Sequence, residues 1–193
     1  MNGAENIKLP SQLPQLMSET ARLNFTMASD LLTGCLLRTL AATKPAGDFL
    51  ELGTGTGLAT AWLLDGMDER SRLISVEIDE VVLEVAKEFL GDDPRAGFFQ
   101  ADGAWWLDRA ECFRFDLIFA DSWPGKYTHL DEALRLLKRG GLYVVDDMLP
   151  QPNWPDDHAQ RANELISTLE NRDDLIITKM NWSTGIIIGT KTL

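Results

Sequence analysis

Between Phe49 and Val145 the chain repeats one rhythm: a short apolar run, a polar turn rich in acidic residues, then a stretch with helical spacing. The runs are Phe49–Leu52, Leu73–Val76, Gly97–Gln100, Phe115–Ala120 and Leu142–Val145. Runs this short and this apolar suit strands buried on both faces, and a helix between successive strands forces them parallel. Leu58–Leu64 reads as the first intervening helix. Asp79 caps the next, whose buried face is Val82, Val85, Ala86 and Phe89. A short helix around Ala104–Leu107 follows, then one carrying Leu130, Ala133, Leu134 and Leu137 that Gly140-Gly141 closes. A helix from Ala28 to Ala42, ended by Lys44-Pro45-Ala46-Gly47, precedes the rhythm. After it, Pro155-Asp156 begins a helix with Ala159, Ala162, Leu165, Ile166 and Leu169 on one face. Leu175–Thr178 and Gly185–Ile188 are two neighbouring strands joined by a short turn, so the last should run antiparallel.

The expected fold is α/β: a Rossmann-like, doubly wound, seven-stranded, mostly parallel sheet with an antiparallel last strand and helices on both faces. At 193 residues it should be a single domain, with 1–27 as a loose or briefly helical lead-in and 28–193 as the core. A net charge of −12 repels phosphate backbones, so the expected partner is a small molecule and not nucleic acid. The polar N-terminus does not read as a signal peptide, and no apolar run approaches the ~20 residues of a membrane span. Cys35 and Cys112 lack a CxxC spacing and read as small buried hydrophobes in a reducing compartment, so the expected location is the cytoplasm. An exposed sheet edge permits a homodimer without requiring one.

In such a sheet the ligand lies outside the carboxyl ends of the strands. That rule gathers Glu51–Gly57, Glu77, Asp102, Asp121 and Asp146-Asp147. The segment Phe-Leu-Glu-Leu-Gly-Thr-Gly-Thr-Gly at 49–57 holds three alternate glycines, which accept φ > 0 and let backbone approach a ligand. Neither glycine frame matches the dinucleotide fingerprint, because Leu58 or Thr60 falls where the third glycine belongs. A phosphate-binding Gly-Lys-Ser/Thr is also missing. A cofactor without phosphates fits better.

Glu51–Gly57 resembles the first motif of class I S-adenosylmethionine-dependent methyltransferases. Leu73–Asp79 is similar to the family's second strand, whose terminal acid binds the ribose hydroxyls; Glu77 takes that place. Gln100-Ala101-Asp102-Gly103 corresponds to the adenine contact, although Asp102 also suits a helix cap. Asp121, Trp123 and Tyr127, with Val144–Met148, resemble the catechol and caffeoyl-CoA O-methyltransferase group. The resemblance implies a cofactor set of Glu51, Gly53, Thr54, Gly55, Gly57, Glu77, Ile78, Asp102, Gly103, Asp121 and Trp123, with Asp121 and Lys126 catalytic. Two positions depart from the group: Asp147 replaces an Asn, and Pro124 stands where the group has its catalytic Lys. Lys126 and His158 are the candidate bases, and His129 reads as structural.

Asp121, Asp146 and Asp147 end neighbouring strands, where three carboxylates would repel one another unless a cation lay between them. A hard divalent ion such as Mg²⁺ suits oxygen donors, so these three are the candidate metal ligands. Solvated turn residues are the competing reading. Trp123, the segment Pro150–Pro155 and Trp182–Gly185 offer aromatic walls for a flat hydroxylated ring, while Trp105-Trp106 reads as core packing. The resemblance implies that a helix at Phe25–Gly34, with polar Thr26, Ser29 and Asp30, covers the methionine end of the cofactor. The expected activity is O-methyl transfer, Mg²⁺-assisted, to a small hydroxylated, catechol-like molecule. A cofactor-binding protein without catalysis, an aminopropyl transferase and a nicotinamide dehydrogenase are the alternatives.

Overall fold

A computed structural model of the chain describes residues 6–151 and 154–193. In chain order the elements are α1 (Leu13–Arg22), α2 (Leu31–Ala42), β1 (Asp48–Leu52), α3 (Leu58–Gly66), β2 (Arg72–Glu77), α4 (Glu80–Leu90) and β3 (Ala96–Gln100). They continue as α5 (Gly103–Arg109), β4 (Phe115–Ala120), α6 (Leu130–Leu136), β5 (Leu137–Val145), α7 (His158–Glu170), β6 (Leu175–Met180) and β7 (Ile186–Lys191). The seven strands form one sheet in the order β3-β2-β1-β4-β5-β7-β6. β1 to β5 pair in parallel, and β7 inserts antiparallel between β5 and β6. The expected architecture is present. None of its helices among the described residues is long and apolar enough to cross a membrane.

Successive residues of a strand point to opposite faces, and the central strands use both. Leu50, Leu52, Ile118, Ala120, Tyr143 and Val145 pack beneath α5, α6 and α7. Phe49, Leu117, Phe119 and Val144 pack beneath α1, α2, α3 and α4. The neighbours β1 and β4 are separated in the chain by two units wound the other way, so the crevice opens above their carboxyl ends.

Several local expectations change. The lead-in segment holds α1, whose Leu13 and Leu16 are fully buried in the core. The helix expected from Ala28 begins at Leu31, because Asp30 caps it by accepting from the Leu32 and Thr33 amides. α6 stops at Leu136, short of the Gly140-Gly141 closure, because Leu137 already pairs with Phe115 as the first residue of β5. β5 then spends extra residues at Gly140-Gly141 before regaining register at Leu142. α7 starts at His158, after a turn in which His158 donates to the Pro155 carbonyl. Cys112 is exposed and Cys35 half-buried, so neither is a buried hydrophobe. Trp105 is 53 % exposed, lying over Arg109, while Trp106 keeps the expected place in the core.

Candidate active site

The glycine loop joins β1 to α3 across the top of β2 and β4. Gly53, Gly55 and Gly57 all have positive φ. At Gly53 the need is strict: a Cβ there would stand 2.6 Å from the Asp121 carbonyl oxygen. Glu77 ties the loop down from β2. Its Oε2 accepts from the Gly55 amide at 2.8 Å, and its Oε1 accepts from the Ile78 and Asp79 amides. The loop is braced from beneath by α1, where the Thr20 hydroxyl meets that of Thr56 at 2.6 Å.

Above this loop lies a cavity of about 440 Å³. Gly53, Thr54, Gly55, Glu77, Ile78, Asp121 and Trp123 of the expected cofactor set line it. Phe25, Met27, Leu58 and Val82 supply apolar wall, and of these Phe25 and Met27 have no motif by which the sequence marks them. They come from the segment between α1 and α2, which is not helical there.

Four expected cofactor residues stand apart from the cavity lining. Glu51 points under the loop, fully buried, where its Oε2 accepts from the Thr60 and Ser75 hydroxyls. Its Oε1 has no partner, and burial pushes the carboxyl up to about 7. Its position in β1 explains this: alternation sends it to the α3 face while the loop turns away. Gly57 begins α3 and lets it pack on Ala86, whose Cβ would be 2.9 Å from an added one. Asp102 is exposed and caps α5 through the Trp105 amide, and Gly103 packs against Pro124.

A second cavity of about 440 Å³ adjoins the first. Asp121, Ser122, Trp123 and the Met27–Ser29 segment line both. The second adds Lys126, Tyr127, Asp146, Asp147, Trp154, His158 and Thr184. Its wall is aromatic: Trp154 stacks on His158 with centroids 4.3 Å apart, and Trp123 and Tyr127 meet that ring edge-on. The Tyr127 hydroxyl lies 2.9 Å from His158 Nε2. Burial and the Lys126 charge hold His158 below the usual histidine range. Trp182 does not reach this cavity and instead donates to the Leu32 carbonyl. His129 immediately precedes α6, in another depression of the surface. Pro152 and Asn153 of the expected aromatic loop lie outside the described residues.

Asp121 and Asp146 approach each other as their strand ends require. Burial and then the Asp146 charge raise Asp121 well above the ordinary carboxylate range. Burial likewise pushes Asp146 up to about 6. The expected metal cage, however, is not formed. Among the described residues no group of three or more His, Cys, Asp or Glu side chains is arranged to hold a metal ion. Asp146 Oδ1 already takes the Thr184 hydroxyl and the Asp147 amide, and Asp121 Oδ2 takes the Ser29 hydroxyl. One oxygen of Asp121 and one of Asp146 thus serve protein donors. A lysine fills the neighbouring space: Lys126, one of the two candidate bases, is only 4 % exposed. As arranged, these side chains form no three-ligand site for a divalent ion among the described residues.

Against known proteins, the profile of the O-methyltransferase family matches residues 4–185. The chain belongs to that family. A Mycolicibacterium vanbaalenii protein named as an O-methyltransferase is 32 % identical over 117 residues, which cover 58 % of this chain and 52 % of that protein. The chain therefore aligns with about half the length of the relatives it matches. An O-methyltransferase from Bacillus cereus, solved in complex with SAH, superposes with a TM-score of 0.85 at 19 % identity, covering 97 % of this chain and 94 % of that one. TomG from Streptomyces achromogenes, an O-methyltransferase of tomaymycin synthesis solved with SAM, gives 0.82 at 23 % identity, over 99 % and 94 %. At these identities the two structures speak for the shared fold of the O-methyltransferase family.

Proposed function

We propose that the chain is an S-adenosylmethionine-dependent O-methyltransferase acting on a small hydroxylated, aromatic molecule. The carrying observation is the pair of adjoining cavities with Asp121 and Trp123 on their common border. The first cavity suits the cofactor: a glycine loop that a Cβ would obstruct, apolar walls for a base, and a carboxylate at Glu77 for a ribose. When bound there, S-adenosylmethionine supplies an electrophilic methyl group on a sulfonium.

The chain's own residues do the rest. Trp123, Tyr127, Trp154 and His158 hold a flat ring and exclude water from one side of it. Asp121, facing both cavities, first takes the proton of the acceptor hydroxyl, and the ionised oxygen then bonds to the methyl carbon as the carbon–sulfur bond breaks. Alignment across the border supplies most of the acceleration, as expected of an in-line displacement. Membership of the O-methyltransferase family and the S-adenosyl ligands of two structural neighbours support this reading.

Calorimetric titration with S-adenosylmethionine should show one saturable site per chain. Incubation with a panel of phenols and catechols should then release S-adenosylhomocysteine with a methyl ether as co-product. Absence of any heat and of any thermal shift at millimolar cofactor would overturn the proposal.

A further inference from the structure

The loop between β4 and α6 is built to turn one lysine inward. The Lys126, Tyr127 and Thr128 amides all donate to the Trp123 carbonyl, and the Gly125 amide donates to that of Thr128 at 2.7 Å. Gly125 sits at φ +85°, where a Cβ would fall 2.3 Å from Leu52 Cδ1. Its carbonyl accepts the hydroxyl of Tyr143, which rises from the fully buried middle of β5. The backbone of residues 123–128 is thus pinned from the core side. The next side chain, Lys126, runs back over the sheet edge, with Nζ 5.1 Å from the Tyr127 ring centre and 2.6 Å from the Asp146 carbonyl oxygen.

That contact is to a neutral acceptor and uses one of three N–H donors. The ammonium lines the acceptor cavity beside Asp121, Asp146 and Asp147. A lysine this buried beside three acids is a charge the fold has placed, because desolvating it without a counter-charge would be costly. A fixed monovalent cation in a low-dielectric wall can stabilise an oxyanion without a metal.

Building on the methyltransferase reading, we propose that Lys126 is the resident cation of the acceptor cavity: its ammonium binds the ionised oxygen of a phenolic acceptor, and the site takes no divalent metal. The unformed metal cage and the inward lysine are then two sides of one arrangement. A single charge stabilises an oxyanion less than a divalent ion does, so the acceptor must bring an acidic hydroxyl, a phenol or catechol and not an aliphatic alcohol. Pro124 has its own part. It takes the chain through the turn at the position where a lysine would otherwise stand, and Gly125 delivers Lys126 from two residues further on.

The test uses 4-nitrocatechol, whose ionised form is read by absorbance, in buffer containing EDTA. On the wild-type chain the midpoint of its ionisation should fall by about one pH unit or more. On Lys126→Gln and on Lys126→Met it should return to the value of the free probe, with circular dichroism and the heat of S-adenosylmethionine binding unchanged. In parallel, Mn²⁺ paramagnetic resonance on the wild-type chain should show no bound ion at about 1 mM metal. Stoichiometric Mn²⁺ that Asp146→Asn removes, a probe midpoint unmoved by the wild-type chain, or one that stays low in a folded Lys126 variant would each overturn the proposal. None of these readings needs methyl transfer, so loss of cofactor binding, which sinks the enzyme reading, is seen separately.

Discussion

Glu51 shows how a residue in a binding motif can act without touching the ligand. Its carboxyl keeps its proton up to about pH 7 when folded, against an ordinary 4.5, because burial penalises the anion. Folding therefore takes up a proton between those values. The Glu51 contribution to stability is fully present below pH 4.5 and is lost as pH rises through 7, by about 3 kcal/mol in total. Glu51→Gln keeps the shape and removes the charge, so thermal melts should show the variant gaining on wild type between pH 5 and pH 8. Asp121 tests the opposite case, a carboxylate that faces the ligand. Asp121→Asn should lower turnover about 10²-fold or more with the cofactor dissociation constant changed only a few-fold, as read by single-turnover kinetics and calorimetry. Gly53→Ala should weaken cofactor binding at least tenfold, because its methyl group must displace the Asp121 backbone on which both cavities depend. The sequence marks Gly53, Glu77 and Asp121, whose roles follow from being the last residues of strands or the first of a loop. It is silent on Phe25 and Met27, which reach the cavity through a segment with no periodicity of its own.

Elements were readable where burial imposes a period, and misread where a tertiary partner competes with local preference. β4 appears at its expected place, as does β5 from Leu142 onward, because a two-sided buried strand needs an uninterrupted apolar run. The end of α6 does not, since Leu137 fits a helical stripe as well as it fits the pair with Phe115. Only the neighbouring strand decides between them. α1 is the larger surprise. Its short amphipathic stripe, within a polar segment, gives little sign that Leu13 and Leu16 close one face of the core. Leu16→Ala should therefore cost about 3 kcal/mol in urea denaturation, a core-sized loss from a segment that reads as a lead-in. An exposed lead-in would lose a few tenths at most.

At the scale of the molecule, the two cores share every central strand, since alternate residues of β1, β4 and β5 enter opposite layers. Loss of one layer strips the other of its floor, so tryptophan fluorescence and far-ultraviolet circular dichroism should report coincident urea transitions. The order of strands and helices, the parallel sheet, and the line of loops that must meet a ligand all follow from the sequence, because hydrophobic period and chain connectivity leave few ways to bury so many short strands. What it leaves open is the direction of individual side chains within that line. Lys126 reads as a candidate base, but its inward direction appears only when Gly125, Leu52 and Tyr143 are brought together beneath it, and the hydroxyl that Asp146 accepts comes with Thr184 from the far end of the chain. Contacts between residues so distant in sequence have no local signature, and they decide which charges end up facing one another.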